Sequence, residues 1–462
     1  MTRAGAILLI NPDWRGIRKQ KQPQFKRIWQ PLDLATAAAI LERNGFSVQI
    51  LDNNIKRLSP QEIGRLSADF DKIFVTSTPY DRWQCPSLDI SFFFRTVEHI
   101  PPKRLYLMGA HVTERPGIIL EATGARLAIL GEPEQTILDL VRRDLLPEIP
   151  PDIPGIAYFK DGRFIRSPPR GYISDLDQLP YPAYHLLDME RYYYEFLGTD
   201  FAIIEGSRGC PHRCSFCYLG MYGNRFRQKS LERLLNEVAY LKDQFRTQNI
   251  YFMDLEFALN RPFILSFCKA LVKNDMGINW CCQTRVTDVD KDLLKWMKKA
   301  GCSLIHFGVE AGSSRILNQT GKGIKVSDCV KAISMAHENG IRTALFMNFG
   351  FPGETRAEME STIDLSIRLN PTYASFHLIV PFPGTRLAEE VNLDPEALPA
   401  HLYPHYNDVH HDLKSLKSVL RRAYLRFYLR PSYIISFLRE LIRQRANHGR
   451  LFVRLLHRSL NS

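Results

Sequence analysis

Between residues 201 and 380 a short apolar segment recurs six times. The segments are Phe201–Glu205, Asn249–Met253, Asn279–Gln283, Ser303–Val309, Thr343–Phe349 and Ala374–Val380. A helical pattern follows each of the first five, with apolar residues three and four apart: Leu231–Phe245, Arg261–Asn274, Lys291–Ala300, Val326–Asn339 and Arg356–Leu369. Buried strands that alternate with helices build a parallel sheet. Six units are too few for an eight-stranded barrel. The pattern predicts an open, partial (β/α)6 barrel with active residues at the C-terminal ends of its strands.

A second alternation precedes it. Ile7–Ile10, Ser47–Leu51, Lys72–Ser77, Arg104–Met108 and Leu127–Leu130 read as strands, and Pro31–Asn44 as an amphipathic helix stopped by Gly45. This predicts an N-terminal Rossmann or flavodoxin-like α/β domain over residues 1–145. Ligands of such sheets bind outside the carboxyl ends of the strands. Here those ends carry Thr76, Ser77, Gly109, Ala110, His111, Gly131 and Glu132. Residues 146–195 are rich in proline and read as a linker with a hairpin around Asp161-Gly162. The barrel spans 196–390, and 391–462 forms a helical C-terminal extension.

Charge is unevenly placed. The chain has 462 residues and a net charge of +12. From Leu413 onward 12 basic residues face Glu440 alone, which leaves 49 basic and 48 acidic residues in the first 412. A uniformly basic nucleic-acid binder is not distributed this way, and nucleic acid is not an expected partner. No apolar run approaches about 18 residues and no signal-peptide core is present, so a cytoplasmic location is expected.

Nine cysteines, an odd number in a chain that reads as cytoplasmic, argue against a disulfide framework. Cys85, Cys268, Cys281, Cys282, Cys302 and Cys329 mostly lie in apolar segments and read as buried thiols. Cys210, Cys214 and Cys217 differ, because they crowd into the loop after the first barrel strand, in Glu205-Gly-Ser-Arg-Gly-Cys-Pro-His-Arg-Cys-Ser-Phe-Cys-Tyr218. Soft thiolates suit zinc or iron–sulfur. A structural zinc site needs a fourth ligand, and His212 is badly placed to supply it. Three thiolates fit a [4Fe–4S] cube with one iron left open.

This Cys-x3-Cys-x2-Cys spacing resembles the signature of radical S-adenosylmethionine (SAM) enzymes. Phe252-Met-Asp-Leu-Glu-Phe257, Gln283-Thr-Arg285, Phe307-Gly-Val-Glu-Ala-Gly-Ser313, Asn348-Phe-Gly-Phe-Pro-Gly-Glu-Thr355 and Pro381-Phe-Pro-Gly-Thr385 resemble later segments of the same family in register, although Leu255 replaces an expected Asp. The resemblance implies a [4Fe–4S] cluster on Cys210, Cys214 and Cys217. It implies SAM on the open iron, cleaved reductively to a 5′-deoxyadenosyl radical with a flavodoxin or ferredoxin as electron donor. Arg285 then suits the SAM carboxylate, and Glu310 its ribose or ammonium. Asp254 and Ser313 join the same site, and the backbone around Phe216 and Tyr218 flanks the adenine. Glu354 reads as the brace of its own Pro-Gly turn.

Met108-Gly-Ala-His-Val-Thr113, Leu130-Gly-Glu-Pro-Glu134 and Pro31-Leu-Asp-Leu-Ala-Thr-Ala-Ala-Ala39 resemble the cobalamin-binding domain found ahead of many radical SAM barrels. The cobalt-ligating Asp-x-His-x-x-Gly segment is absent, with Asp13-Trp-Arg-Gly16 near its place, and His111 reads as a packed strand-end residue rather than a cobalt ligand. The resemblance implies a cobalamin-dependent C-methyltransferase acting on an unactivated carbon. The alternatives are a cyclase or rearrangement enzyme of similar build, or an N-terminal domain that binds substrate or a partner. A methylthiotransferase would need further N-terminal cysteines, and residues 1–209 hold only Cys85. The basic tail has amphipathic spacing at Leu416, Val419, Leu420, Ala423, Tyr424, Phe427 and Tyr428, repeated in style beyond Pro431. It reads either as a cap on the barrel or as a peripheral contact with an anionic membrane surface, which would suit a lipid or isoprenoid substrate. A metal site at His401, His405, His410 and His411 is the lesser reading of that histidine cluster.

Overall fold

The structure, a computed structural model, describes residues 6–14, 28–143, 152–403 and 412–435. The first sheet holds β1 (Ile7–Asn11), β2 (Val48–Asp52), β3 (Lys72–Thr76), β4 (Leu105–Met108), β5 (Leu127–Ile129), β6 (Ile156–Lys160) and β7 (Arg163–Arg166), ordered β2-β1-β3-β4-β5-β6-β7. The first five strands are parallel and the last two antiparallel. The parallel part has the flavodoxin-like doubly wound order. β1 reads Ile-Leu-Leu-Ile-Asn and is buried throughout, because helices cover both faces. Its helices include α1 (Leu32–Arg43), α2 (Pro60–Ser67), α3 (Ser91–Val97), α4 (Ala110–Glu114), α5 (Pro116–Thr123) and α6 (Glu134–Arg142). The hairpin of the linker joins this sheet as its last two strands.

The second sheet holds β8 (Phe201–Ile204), β9 (Asn249–Phe252), β10 (Asn279–Thr284), β11 (Cys302–Glu310), β12 (Arg342–Phe349) and β13 (Tyr373–Leu378), all parallel and adjacent in chain order. Between them run α7 (Leu231–Phe245), α8 (Arg261–Lys273), α9 (Lys291–Lys299), α10 (Ser314–Gln319), α11 (Val326–Glu338) and α12 (Arg356–Leu369), followed by α13 (Arg386–Glu390) and α14 (Leu413–Tyr428). This is the expected partial (β/α)6 barrel. Local chemistry sets the helix starts: Ser230, Asp290 and Asp412 each cap a first turn, and Thr355 with Glu358 forms a capping box.

A partial barrel leaves two open edges, and side chains close both. On β8, Gln30 Nε2 donates to the Phe201 carbonyl at 2.7 Å, its Oε1 accepts from Ile203 N at 3.3 Å, and Tyr184 OH donates to the Ile203 carbonyl at 2.8 Å. On β13, Tyr424 OH accepts from Phe376 N and donates to Phe376 O, both at 3.2 Å, and Tyr428 OH does the same for Ala374 at 3.1 and 2.7 Å. Tyr433 OH reaches the Thr372 carbonyl at 3.2 Å. Leu416, Val419, Ala423 and Phe427 of α14 are buried, and Arg422 and Arg426 pair with Glu360 and Asp364. The first basic amphipathic segment is thus a cap on the barrel, and its apolar face is not available to a membrane. The second segment beyond Ile435, together with His405, His410 and His411, lies outside the described residues. Among the described residues no helix is long and apolar enough to cross a membrane.

The chain after the barrel returns to the first domain. Arg115, fully buried, donates to the carbonyls of Leu398 (2.5 Å), Pro399 (3.2 Å) and Leu402 (3.3 Å). Ile90 N and the Leu88 carbonyl pair with His401 and Tyr403. Tyr403 of this strap stacks on Phe382 just past the last barrel strand, and Gln84 of the loop after β3 reaches Gln283 at the end of the third, beside the candidate site.

Candidate active site

The loop from Gly206 to Tyr218 is held from four sides. At its base Asp254, just past β9, accepts from Gly206 N at 3.1 Å and from Ser207 Oγ. Gly209 has φ +80°, and a Cβ there would stand 2.2 Å from the Arg225 carbonyl, so only glycine lets the loop close. Farther along, Cys210 N donates to the Gly223 carbonyl, Ser215 N to Thr320, and Leu387 N to Ser215. The first domain adds the fourth hold: Tyr218 N donates to the Gln84 carbonyl at 3.4 Å.

All three loop cysteines are partly buried at the mouth. A hydrogen bond from Cys217 pulls the Cys214 thiol down, helped by Lys322 and Arg285, while the same bond and burial push Cys217 up. Burial pushes the Cys210 thiol up to about 11. Among the described residues no three His, Cys, Asp or Glu side chains converge as a single metal ion requires. A cubic cluster asks for something different, one thiolate on each of three irons, with the sulfurs spread around the cube. The donor set therefore fits an iron–sulfur cluster better than zinc.

Beside the thiols stands a charged floor. Arg285 Nη1 is 4.0 Å from Cys214 Sγ, and Nη2 donates to the Lys322 carbonyl. Lys322 Nζ is 2.5 Å from Glu310 Oε1, and Asn348 Nδ2 is 2.5 Å from Glu310 Oε2. Glu310 has φ +70°, at a register shift between β11 and β12, a strained backbone that aims its carboxylate inward. Glu256 accepts from Arg285 N at 3.0 Å and from Thr284 Oγ1, and burial pushes its carboxyl up to about 8.

Several expected site residues stand elsewhere in this scheme. Asp254 is buried and fixes the loop base through Gly206 N and Ser207 Oγ. Ser313 caps α10 and donates to Glu358 at 2.8 Å. Phe216 and Tyr218 pack edge-on against Phe351 and Phe382, at 5.9 and 5.0 Å. Glu354 accepts from Gly350 N (2.6 Å) and Phe351 N (3.1 Å), bracing its turn as expected. Sequence reasoning assigns no role to Lys322, Asn348 or Glu256. Lys322 lies between Gly321 and Gly323, both at positive φ, and that Gly-Lys-Gly run is the signal that could have found it.

The first domain departs more sharply from expectation. Thr76, Ser77, Gly109, Ala110 and His111 are expected at an open cofactor edge, but all are enclosed. Thr76 Oγ1 donates to the Thr78 carbonyl at 2.8 Å, and a Cβ on Gly109 would meet Ser77 Oγ at 2.8 Å. His111 is fully buried, with Nδ1 2.6 Å from Thr78 Oγ1, Nε2 2.8 Å from the Ser87 carbonyl, and its ring against Phe382 and Tyr403. Burial pulls its pKa down to about 4. Both of its ring nitrogens are thus engaged within the protein. Glu132 is 2.7 Å from Arg227 and 3.5 Å from Arg208. Arg208, also fully buried, is 2.6 Å from Glu134 and 2.7 Å from Glu205, which in turn accepts from Tyr80 OH. These ion pairs lock the first domain to the thiol loop. Only Gly131 keeps open space: φ is +74°, and a Cβ there would meet no atom within 4 Å. Among the described residues this edge offers no unengaged imidazole, so it fits cobalamin as a group held by shape and backbone.

A three-thiol loop at the mouth of an open six-unit barrel defines a radical SAM active site. Residues 204–366 match the radical SAM superfamily. An uncharacterized methyltransferase of Pyrococcus horikoshii is 31% identical over 92% of this chain and 94% of its own length. The anaerobic magnesium-protoporphyrin IX monomethyl ester cyclase of Rubrivivax gelatinosus is 26% identical over 83% of this chain and 70% of its own. Two solved folds are similar. The cobalamin-dependent SAM radical enzyme OxsB, with aqua-cobalamin and SAM bound, has TM-score 0.74 at 16% identity, over 99% of this chain and 71% of that one. The radical SAM methyltransferase TsrM of Kitasatospora setae, with cobalamin and a [4Fe-4S] cluster bound, has TM-score 0.67 at 20% identity, over 85% and 75%. The chain belongs to the radical SAM superfamily, and it shares with OxsB and TsrM a fold that extends beyond the barrel to the first domain. It is an enzyme related to cobalamin-dependent methyltransferases, and membership implies a [4Fe–4S] cluster and SAM.

Proposed function

We propose that this enzyme methylates an unactivated carbon of a small molecule, with a cluster on Cys210, Cys214 and Cys217, SAM beside it, and cobalamin between the first domain and the barrel. The observation that carries the reading is the joint placement of three partly buried thiols, Arg285 and the Glu310–Lys322 pair at one barrel mouth beside the first domain. The cluster, when bound, supplies the electron that splits SAM. Cobalamin, when bound, supplies a carrier for the methyl group. Arg285 holds the SAM carboxylate through paired hydrogen bonds. Glu310 accepts from the SAM ammonium or ribose, and Lys322 and Asn348 keep its carboxylate in place. The loop after β3 and the strap at 398–403 exclude water from the mouth. A flavodoxin or ferredoxin delivers the electron.

The test is anaerobic reconstitution with iron, sulfide and hydroxocobalamin, followed by desalting, an iron count and an absorption spectrum. About four irons, retained cobalamin and 5′-deoxyadenosine production from SAM support the reading. Replacing Cys210, Cys214 and Cys217 with Ala should abolish both iron and SAM cleavage, and cleavage that persists overturns it. Iron without cobalamin removes the methyl-carrier part and makes the first domain a docking module.

A further inference from the structure

We propose that the inner face of β12 and β13, formed by Phe346, Asn348, Ser375 and His377, is the substrate-recognising wall, and that it takes a planar, uncharged ring system with a hydrogen-bonding edge. The proposal deepens the reading above and rests on it only in taking the barrel interior as the place of the substrate.

The orientation of this wall follows from its outer side. Phe376 packs edge-on against Tyr424 and Phe427 of α14, at 5.2 and 6.0 Å. Side chains alternate along a strand, so Ser375 and His377 face the interior. Asn348 faces it too, because its amide reaches Glu310, and Phe346 lies two residues earlier on the same face.

Its chemistry has three parts. First, Tyr194, Tyr251, His306 and Phe346 form a run of nearly parallel rings across the barrel floor. Successive centroids are 5.6, 5.4 and 5.5 Å apart and successive planes differ by 16°, 14° and 16°. The first three rings are buried, and Phe346 ends the run half-buried. A further flat ring continues such a run at little cost, because offset stacking favours it. Second, the wall beside Phe346 is polar. Ser375 Oγ lies 2.8 Å from His377 Nε2, the His377 ring is 6.2 Å from Phe346, and Ser375, His377 and Asn348 are all half-buried. Ser375 and His377 bond each other and Asn348 bonds Glu310, and an alkyl chain laid against them would cover this polar surface without adding a hydrogen bond, whereas a polar ring edge can share one. Third, β12 beyond Arg342 and the whole of β13 carry no charged side chain. Arg342 itself is at the other end, donating to the carbonyls of Ser303 and Phe196. The adjoining Glu310 and Lys322 neutralise each other. Among the described residues an anionic substrate group therefore finds no lysine or arginine side chain on this wall.

The experiment uses the reconstituted full-length protein with SAM bound and three probes in ligand-observed NMR: indole (planar, neutral, one N–H donor), 1-octanol (alkyl chain) and phenylphosphonate (anion). Indole should bind in preference to the other two. Phe346→Leu, which keeps bulk and removes the ring, and His377→Gln, which keeps polarity and removes the imidazole, should each weaken indole by about five- to tenfold. Phe346→Ala and His377→Ala serve where they retain the wild-type iron count and circular dichroism. Preference for 1-octanol or phenylphosphonate, no indole binding, or indole binding unchanged in both conservative variants overturns the proposal. Production of 5′-deoxyadenosine without substrate is measured in parallel. Its loss in the wild type would count against the radical SAM assignment and leave the probe result to stand by itself.

Discussion

Two glycines of one strand and its following turn separate binding from stability. A Cβ on Gly308 would stand 2.1 Å from Lys322 Nζ and 2.4 Å from Glu310 Oε1, the far ends of flexible side chains. A Cβ on Gly312 would stand 2.2 Å from the Ser361 carbonyl oxygen, which is backbone and cannot turn aside. Gly308→Ala should therefore fold normally but displace the Glu310–Lys322 pair. Equilibrium dialysis should show SAM affinity down by about tenfold, the scale of one lost charge-assisted contact. Gly312→Ala should instead lower the stability by about 1–3 kcal/mol of overpacking, whatever the ligand. Asp33 gives a pH test. It is buried at the start of α1 beside Glu134, and burial pushes its carboxyl up from 3.8 to about 8. The folded state then holds the proton more tightly than the unfolded one. Stability from this group is full below about pH 4 and is lost as pH rises towards 8. Asp33→Asn should flatten that fall by about 1.4 kcal/mol for each pH step inside the window, read from urea midpoints between pH 5 and 8. Little of this is legible in the sequence. Arg285 and Glu310 can be placed because each ends an apolar strand. Lys322 cannot, because its meeting with Glu310 depends on how the chain after α10 turns back over β11. Asp254 is legible as a strand-end acid, but the donors it serves, Gly206 N and Ser207 Oγ, lie 48 and 47 residues earlier in the chain and are not.

Periodicity carries most of the elements. All six barrel strands stand within two residues of their sequence bounds, because fully apolar strands flanked by amphipathic helices admit few other arrangements. What periodicity cannot supply is the closing of the open edges, which side-chain hydroxyls and an amide perform. The tail helix shows why. Its tyrosines look like half of an apolar stripe, but Tyr424 and Tyr428 each serve one residue of β13 as donor and acceptor together, as a neighbouring strand would. Tyr424→Phe with Tyr428→Phe should strand four buried backbone groups at a cost of about 1–3 kcal/mol for each site. Urea denaturation reads the stability, and light scattering should detect association through the bared edge. Unchanged stability in the double variant would show that apolar packing alone seats α14.

At the scale of the whole molecule, the two sheets are joined by buried charge as well as by a shared apolar core. Arg208 belongs to the thiol loop, and Glu132 and Glu134 follow β5 of the first domain. The four partners Arg208, Arg227, Glu132 and Glu134 have almost no exposure, with Glu205 and Tyr80 closing the cluster. A buried pair of this kind adds little over a well-packed apolar replacement, but breaking it by removing one member leaves uncompensated charge. Arg208→Ala would leave Glu134 and Glu205 without their guanidinium. The expected loss is about 3–5 kcal/mol, together with faster proteolytic cutting in the stretch between the sheets. Because Arg208 stands two residues before Cys210, the thiol loop should loosen too, and iron retention after reconstitution should fall with stability. Pairing Arg208→Met with Glu134→Leu removes charge from both sides, and should recover stability over the single variant while leaving Glu205 to Tyr80. If the double variant regains stability but not iron, the cluster of charges holds the loop's shape for the thiols. If it regains both, the charges only glue the domains, and cofactor retention depends on loop contacts such as Ser215 to Thr320 and Tyr218 to Gln84 instead.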